Sequence, residues 1–202
     1  MVKNMMLQFR LMKHYFIAAA LVFTLGVILG AGYSDQFQGF IESQLKGMEQ
    51  LTQSLKDKPN QQWSLFWLIF WNNTIKSVAI IALGAIFGVL PLLFLLVNGL
   101  LLGYLGSNFA QKESLLYFIK GILPHGIIEI PAIVFACAFG LRLGALMLKM
   151  VIALISPERS VKYKEELHGF AKAIPMVVVI LIVSLTAAAL IESTFTYWLI
   201  KR

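Results

Sequence analysis

The chain has 202 residues, 59% of them hydrophobic and 13% charged, with a mean hydropathy of +0.80. An average soluble domain is roughly 45–50% apolar and about 25% charged, so water is excluded as the solvent for most of this chain. The formal charge of +7 implies no nucleic-acid partner, because the basic residues are dispersed at the ends of apolar segments and form no single basic face. They suit the orientation of a membrane protein and contact with anionic headgroups of a lipid bilayer.

The apolar stretches are much longer than the ~10-residue alternating strands of a membrane barrel. Lipid requires every backbone polar group to be satisfied internally, so the expected fold is all-α, a polytopic transmembrane helical bundle of about five spans. It forms one integral membrane domain over residues 1–202. The one cysteine, Cys137, lies in an apolar run and excludes an internal disulfide or a four-thiolate zinc site.

The first apolar run, Tyr15 to Leu29, follows Lys3, Arg10 and Lys13 and imitates a signal peptide. No convincing small-x-small cleavage site follows it, and Gly26-x-x-x-Gly30 suits close helix packing, so it is expected to be a retained span. Residues 34–62 then form the longest polar stretch. Within it Phe37, Phe40, Ile41, Leu45, Met48, Leu51 and Leu55 recur at three- and four-residue steps, which predicts an amphipathic helix in an external loop. Trp63, Trp67 and Trp71 mark re-entry into the membrane as an interfacial belt. A second span runs to about Gly88, Pro91 supplies a break, and a third span covers Leu92 to Phe109.

Leu115 to Ile155 is about 41 residues of apolar sequence, long for one pass of ~20. The next segment, 156–173, carries Arg159, Lys162, Lys164 and Lys172 and reads as a cytoplasmic loop, on the same side as the N-terminus. Parity then allows the long stretch to cross only once. A broken or re-entrant element near Pro124 to Pro131, around Gly126, is the expected way to shorten it. A last span starts at Ile174 and ends near Leu199.

Asn72, Asn73, Lys76, Asn98, His125, Glu129, Arg142 and Glu192 interrupt the apolar segments. Each charged one costs about 2.5–3.5 kcal/mol if it faces lipid, so they are expected to face inward and find one another. His125 and Glu129, four apart, share a helix face. A His and carboxylates can ligate a divalent metal such as Zn²⁺, with Glu192 as third ligand. The alternative is structural: Lys76 and Arg142 neutralise Glu129 and Glu192. By depth, Asn72, Asn73, His125, Glu129 and Glu192 all fall in the outer half of the bilayer, so a polar pocket is expected there, completed by Asn98. No G-x-x-x-x-G-K-[ST] loop is present.

Four segments carry a resemblance: Phe70-x-Asn72-Asn73, Asn98-Gly99-x-x-x-Gly103, Leu123-Pro124-His125-Gly126-x-x-Glu129-x-Pro131-Ala132 and Ala188-Ala189-Leu190-Ile191-Glu192. In these the chain resembles the stage II sporulation protein M family of multi-pass bacterial membrane proteins, from Trp63 to the C-terminus. The resemblance implies location in the bacterial cell membrane and, by the family's name-giving member, a place in an envelope or sporulation complex. Two functions are therefore expected to compete. One is a non-enzymatic scaffold that recruits membrane or envelope proteins through the 34–62 loop. The other is an intramembrane metal-binding protein with hydrolytic or transport activity, centred on His125, Glu129 and Glu192. Glycines at 84, 88, 99, 103 and 106 leave room for close helix contact within the chain or in a homodimer.

Overall fold

A computed structural model describes residues 2–53, 60–112, 114–154 and 157–200. All its regular elements are helices: α1 (Val2–Gly32), α2 (Ser34–Gln53), α3 (Gln61–Leu83), α4 (Val89–Lys112), α5 (Leu115–Ala153), α6 (Pro157–Ile191), a π turn (Glu192–Thr196) and α7 (Tyr197–Ile200). Among the described residues, five stretches are long and apolar enough to cross a membrane: Leu11–Gly32, Gln61–Leu83, Val89–Gln111, Leu115–Ala153 and Ser160–Thr196. The expected all-α bundle of five spans is what the chain forms.

Glycines set the helix directions. On α1, Gly26 and Gly30 abut the backbone of Leu96, Gly99 and Leu100, while Gly103 on α4 abuts Val27 and Ala31. The two helices therefore run parallel at very close range, as small residues four apart permit. On α3 and α5, Gly84 meets Gly140, and Gly144 meets the turn at Gly88, so this pair is parallel as well. The last span returns antiparallel to α5, since Arg142 lies over the Phe170 ring and Lys149 bonds Glu166 at 2.8 Å. Successive spans thus alternate in direction. These glycines serve contacts within the chain.

A methyl group at position 103 would collide with the backbone of Val27, which no rotamer change relieves. Gly103→Ala is accordingly expected to cost about 1–3 kcal/mol, the usual range for overpacking. A thermal unfolding midpoint in detergent equal to that of the parent would refute this.

Between α3 and α4 the chain reverses over Gly84–Gly88, with Phe87 (φ 51°) and Gly88 (φ 78°) in the left-handed region. Pro91 stands in the first turn of α4, where a missing N–H leaves no helical bond unmade. Ser114 caps α5 by accepting from the Leu116 N–H at 3.1 Å.

Two expectations fail here. First, no broken or re-entrant element exists between Pro124 and Pro131: α5 is one helix, 39 residues long, through both prolines. Each proline removes a single bond and frees one carbonyl, of Lys120 and of Ile127. Unwinding the segment would expose several backbone groups at membrane depth, at several kcal/mol for each unsatisfied one, so the helix persists. Second, residues 157–173 of the expected 156–173 loop are helical and continuous with the last span. Lys162, Lys164 and Lys172 are exposed while Phe170 is buried. The segment is amphipathic and rich in helix-forming Lys and Glu, and its charge had imitated a loop. Residue 156 lies outside the described residues, as do 54–59 of the 34–62 segment.

The amphipathic helix expected after the first span is α2. It buries Ile41 completely and half-buries Phe37 and Leu45, leaving Phe40 exposed. On α3, Trp63, Trp67 and Trp71 form an exposed stripe stacked with Phe66 and Phe70. Along α5, the axial distance from exposed Lys120 to Arg142 is about 33 Å at 1.5 Å per residue. That matches a hydrocarbon layer of ~30 Å. Single cysteines replacing Lys46 and Lys164, both exposed, test the sidedness. Labelling from outside at 46 and not at 164 is expected, and the reverse pattern would overturn it.

Candidate metal centre

Three helices build one polar cluster. The four-residue step on α5 places His125 and Glu129 on one face, about 40° apart. Because α6 runs antiparallel, its C-terminal end arrives at the same level and brings in Glu192. From α3, which is parallel to α5, comes Asn73.

One ligand atom from each of His125, Glu129 and Glu192 lies within 4.8 Å of the others. The closest approach described is His125 Nε2 to Glu192 Oε2, 3.8 Å, with the two side chains 13% and 31% exposed. Asn73 Nδ2 donates to Glu129 Oε1 at 2.8 Å, and Asn72 Nδ2 donates to Asn73 Oδ1 at 3.3 Å. An asparagine amide is a fitting partner here, since it fixes one carboxylate oxygen and leaves the other available. Bonds of roughly 2.0–2.2 Å around a tetrahedral ion hold donor atoms about 3.4 Å apart. The three groups come within small side-chain rotations of that geometry.

Two further features lie on the helices that carry the cluster. The helix widens into a π turn over Glu192–Thr196, which directs both Glu192 and Thr196 at His125. Thr196 Oγ1 lies 3.5 Å from His125 Nδ1, and both Thr196 and Ser193 are buried. π turns inside α-helices recur at functional sites because they re-aim side chains by one residue. In the sequence only the polar run Glu192-Ser193-Thr194 inside an apolar span hints at it. On α3, Thr74 and Ser77 are buried beside Asn73, with hydroxyls that find no partner among the described residues.

The other expected members are placed differently. Asn98 is half-buried on α4 and donates to the carbonyl of Phe94 at 2.7 Å, a bond within its own helix. Arg142 stands about 20 Å along α5 from Glu129 and is no partner to it. It is buried over the Phe170 ring, 5.6 Å from its centroid, and is attracted by Glu166. Lys76 is exposed on α3, one turn beyond Asn72 and Asn73. Its charge acts on Glu129, although no direct ion pair joins them among the described residues.

The family sequence model described as stage II sporulation protein M matches residues 19–197, which include every one of these positions. This chain belongs to the stage II sporulation protein M family. Together with the five apolar helices, membership makes it a multi-pass membrane protein. It is also 26% identical over 136 residues to an uncharacterized protein of Methanocaldococcus jannaschii. That match covers 66% of this chain and 57% of the relative. No solved structure matches the chain.

Proposed function

We propose that this family member is an intramembrane metal-binding protein, with His125, Glu129 and Glu192 as ligands of a divalent ion and zinc the ion best suited to those donors. The convergence of the three ligand atoms within 4.8 Å carries the reading. Glu192, 63 positions beyond Glu129 in sequence, is brought to the other two by the fold, and two carboxylates are costly to keep together at membrane depth without a cation. Three protein ligands leave one coordination position open, the arrangement of reactive and exchangeable sites and not of closed structural ones. A metal so held polarises a carbonyl or activates a water. Support comes also from Asn73, which orients Glu129, and from Thr196, which can hold Nδ1 of His125 so that Nε2 faces the metal.

The test is metal analysis of protein purified without a histidine tag. One zinc per chain is expected, and none in the combined variant His125→Ala, Glu129→Gln, Glu192→Gln. Equal metal content in both would overturn the reading.

A second reading, the scaffold of a bacterial envelope or sporulation complex, is favoured by α2, whose exposed polar face lies outside the bundle of spans. It takes the external side of the bacterial cell membrane as its setting. Loss of partner capture on removal of α2, with metal content retained, would favour it.

A further inference from the structure

The charges around the cluster do not cancel once a metal is bound. A divalent cation with two carboxylates and a neutral imidazole is electrically neutral. Lys76 then remains, an exposed ammonium on a span. Its level is about one turn past Asn73, which itself bonds Glu129, so it lies well inside the hydrocarbon layer marked by Lys120 and Arg142. The other described carboxylates of the spans, Glu165 and Glu166, belong to the far end of α6, where Glu166 bonds Lys149. A lone ammonium at that depth is costly, and one negative charge placed beside it removes most of the cost. On the metal reading one coordination position is free.

Resting on the metal reading above, we propose that the loaded site takes one monoanion through an oxygen atom, a carboxylate or a phosphodiester. It binds at the open coordination position and beside the Lys76 ammonium. The metal supplies directed bonding and Lys76 supplies the charge that selects an anion over a neutral ligand. Lys76 acts on the ligand and is not a metal ligand itself. Its exposure on α3 leaves the approach to the site lateral, from the bilayer side.

Cobalt(II) provides the probe, because its visible absorption changes with the ligand in an open position. The full chain, loaded with cobalt in a neutral detergent, is titrated with acetate and separately with dimethyl phosphate. Cobalt content is measured in every sample. A saturable spectral change is expected with at least one anion, its half-saturating concentration rising tenfold or more in Lys76→Gln and returning toward the parent value in Lys76→Arg. In nanodiscs, a spectral change on replacing phosphatidylcholine with phosphatidylglycerol, without added anion, assigns the phosphodiester to a lipid headgroup. An unchanged spectrum there, with a response to acetate in detergent, assigns a soluble carboxylate. Full cobalt loading with a spectrum indifferent to both anions overturns the proposal, as does an equally strong response in Lys76→Gln. Failure to take up cobalt at all strikes the metal reading itself.

Discussion

His125→Ala is expected to weaken zinc binding at least 100-fold and to abolish the stabilisation that zinc confers. Of the three proposed ligands, His125 alone offers nitrogen, and its Nε2 stands 3.8 Å from the Glu192 carboxylate. Its loss leaves two carboxylates on opposite helices, with nothing to complete a tetrahedral set. Ligand binding stabilises a fold by about 2.7 kcal/mol when free ligand stands at 100 times its dissociation constant, and a site 100-fold weaker keeps only about 0.4 kcal/mol of that. The parent should therefore melt at a higher temperature with zinc than with a chelator, while the variant melts at one temperature in both. A zinc-dependent shift that survives in His125→Ala would show that the metal, if bound, sits elsewhere.

Glu192→Gln is expected to change sign with metal. In the parent, the Glu192 and Glu129 carboxylates face each other across α5 and α6 and repel. Without metal, removing one of them from membrane depth should stabilise the fold, by up to about 2.5–3.5 kcal/mol if the group is charged there. With metal, the variant lacks a ligand and falls below the zinc-loaded parent. Crossing of the two stability orders in chelator and in zinc is what the paired melts should show. A variant less stable than the parent in both conditions would mean that Glu192 serves the packing alone. Functional sites commonly trade stability in this way, since groups suited to a ligand are poorly suited to each other.

Much of the architecture could be read from apolar run length, because the lipid leaves so few alternatives. The periodic step of Phe37, Ile41 and Leu45 located α2, and the four-residue spacing placed His125 beside Glu129 without any tertiary information. Glu192 was reachable through depth: an odd number of crossings brings the end of the last span back to the level of His125. The rest depended on what helices do in contact. Two prolines looked like a break because local rules penalise them, but a single continuous helix satisfies more of the backbone than any interrupted one. The 157–173 segment was misjudged because positive charge marks sidedness and says nothing about conformation. Arg142 was expected, with Lys76, to neutralise Glu129 and Glu192, while the fold gave it Phe170 and Glu166 instead. A polar residue such as Asn98 can also satisfy itself on its own helix, and composition cannot tell this from a site role. The π turn left no sign in the sequence beyond the polar run Glu192-Ser193-Thr194.

That turn ties the cluster to the end of the chain. Within Glu192–Thr196 the backbone carries one residue more than an α-helical turn would, so α7 is held out of register with α6. Sliding the wide turn by one residue would exchange the side chain presented to His125, replacing a carboxylate by a neighbour. A twist or pull applied to Tyr197–Ile200 is therefore transmitted first to Thr196 and Glu192, within a single turn of helix.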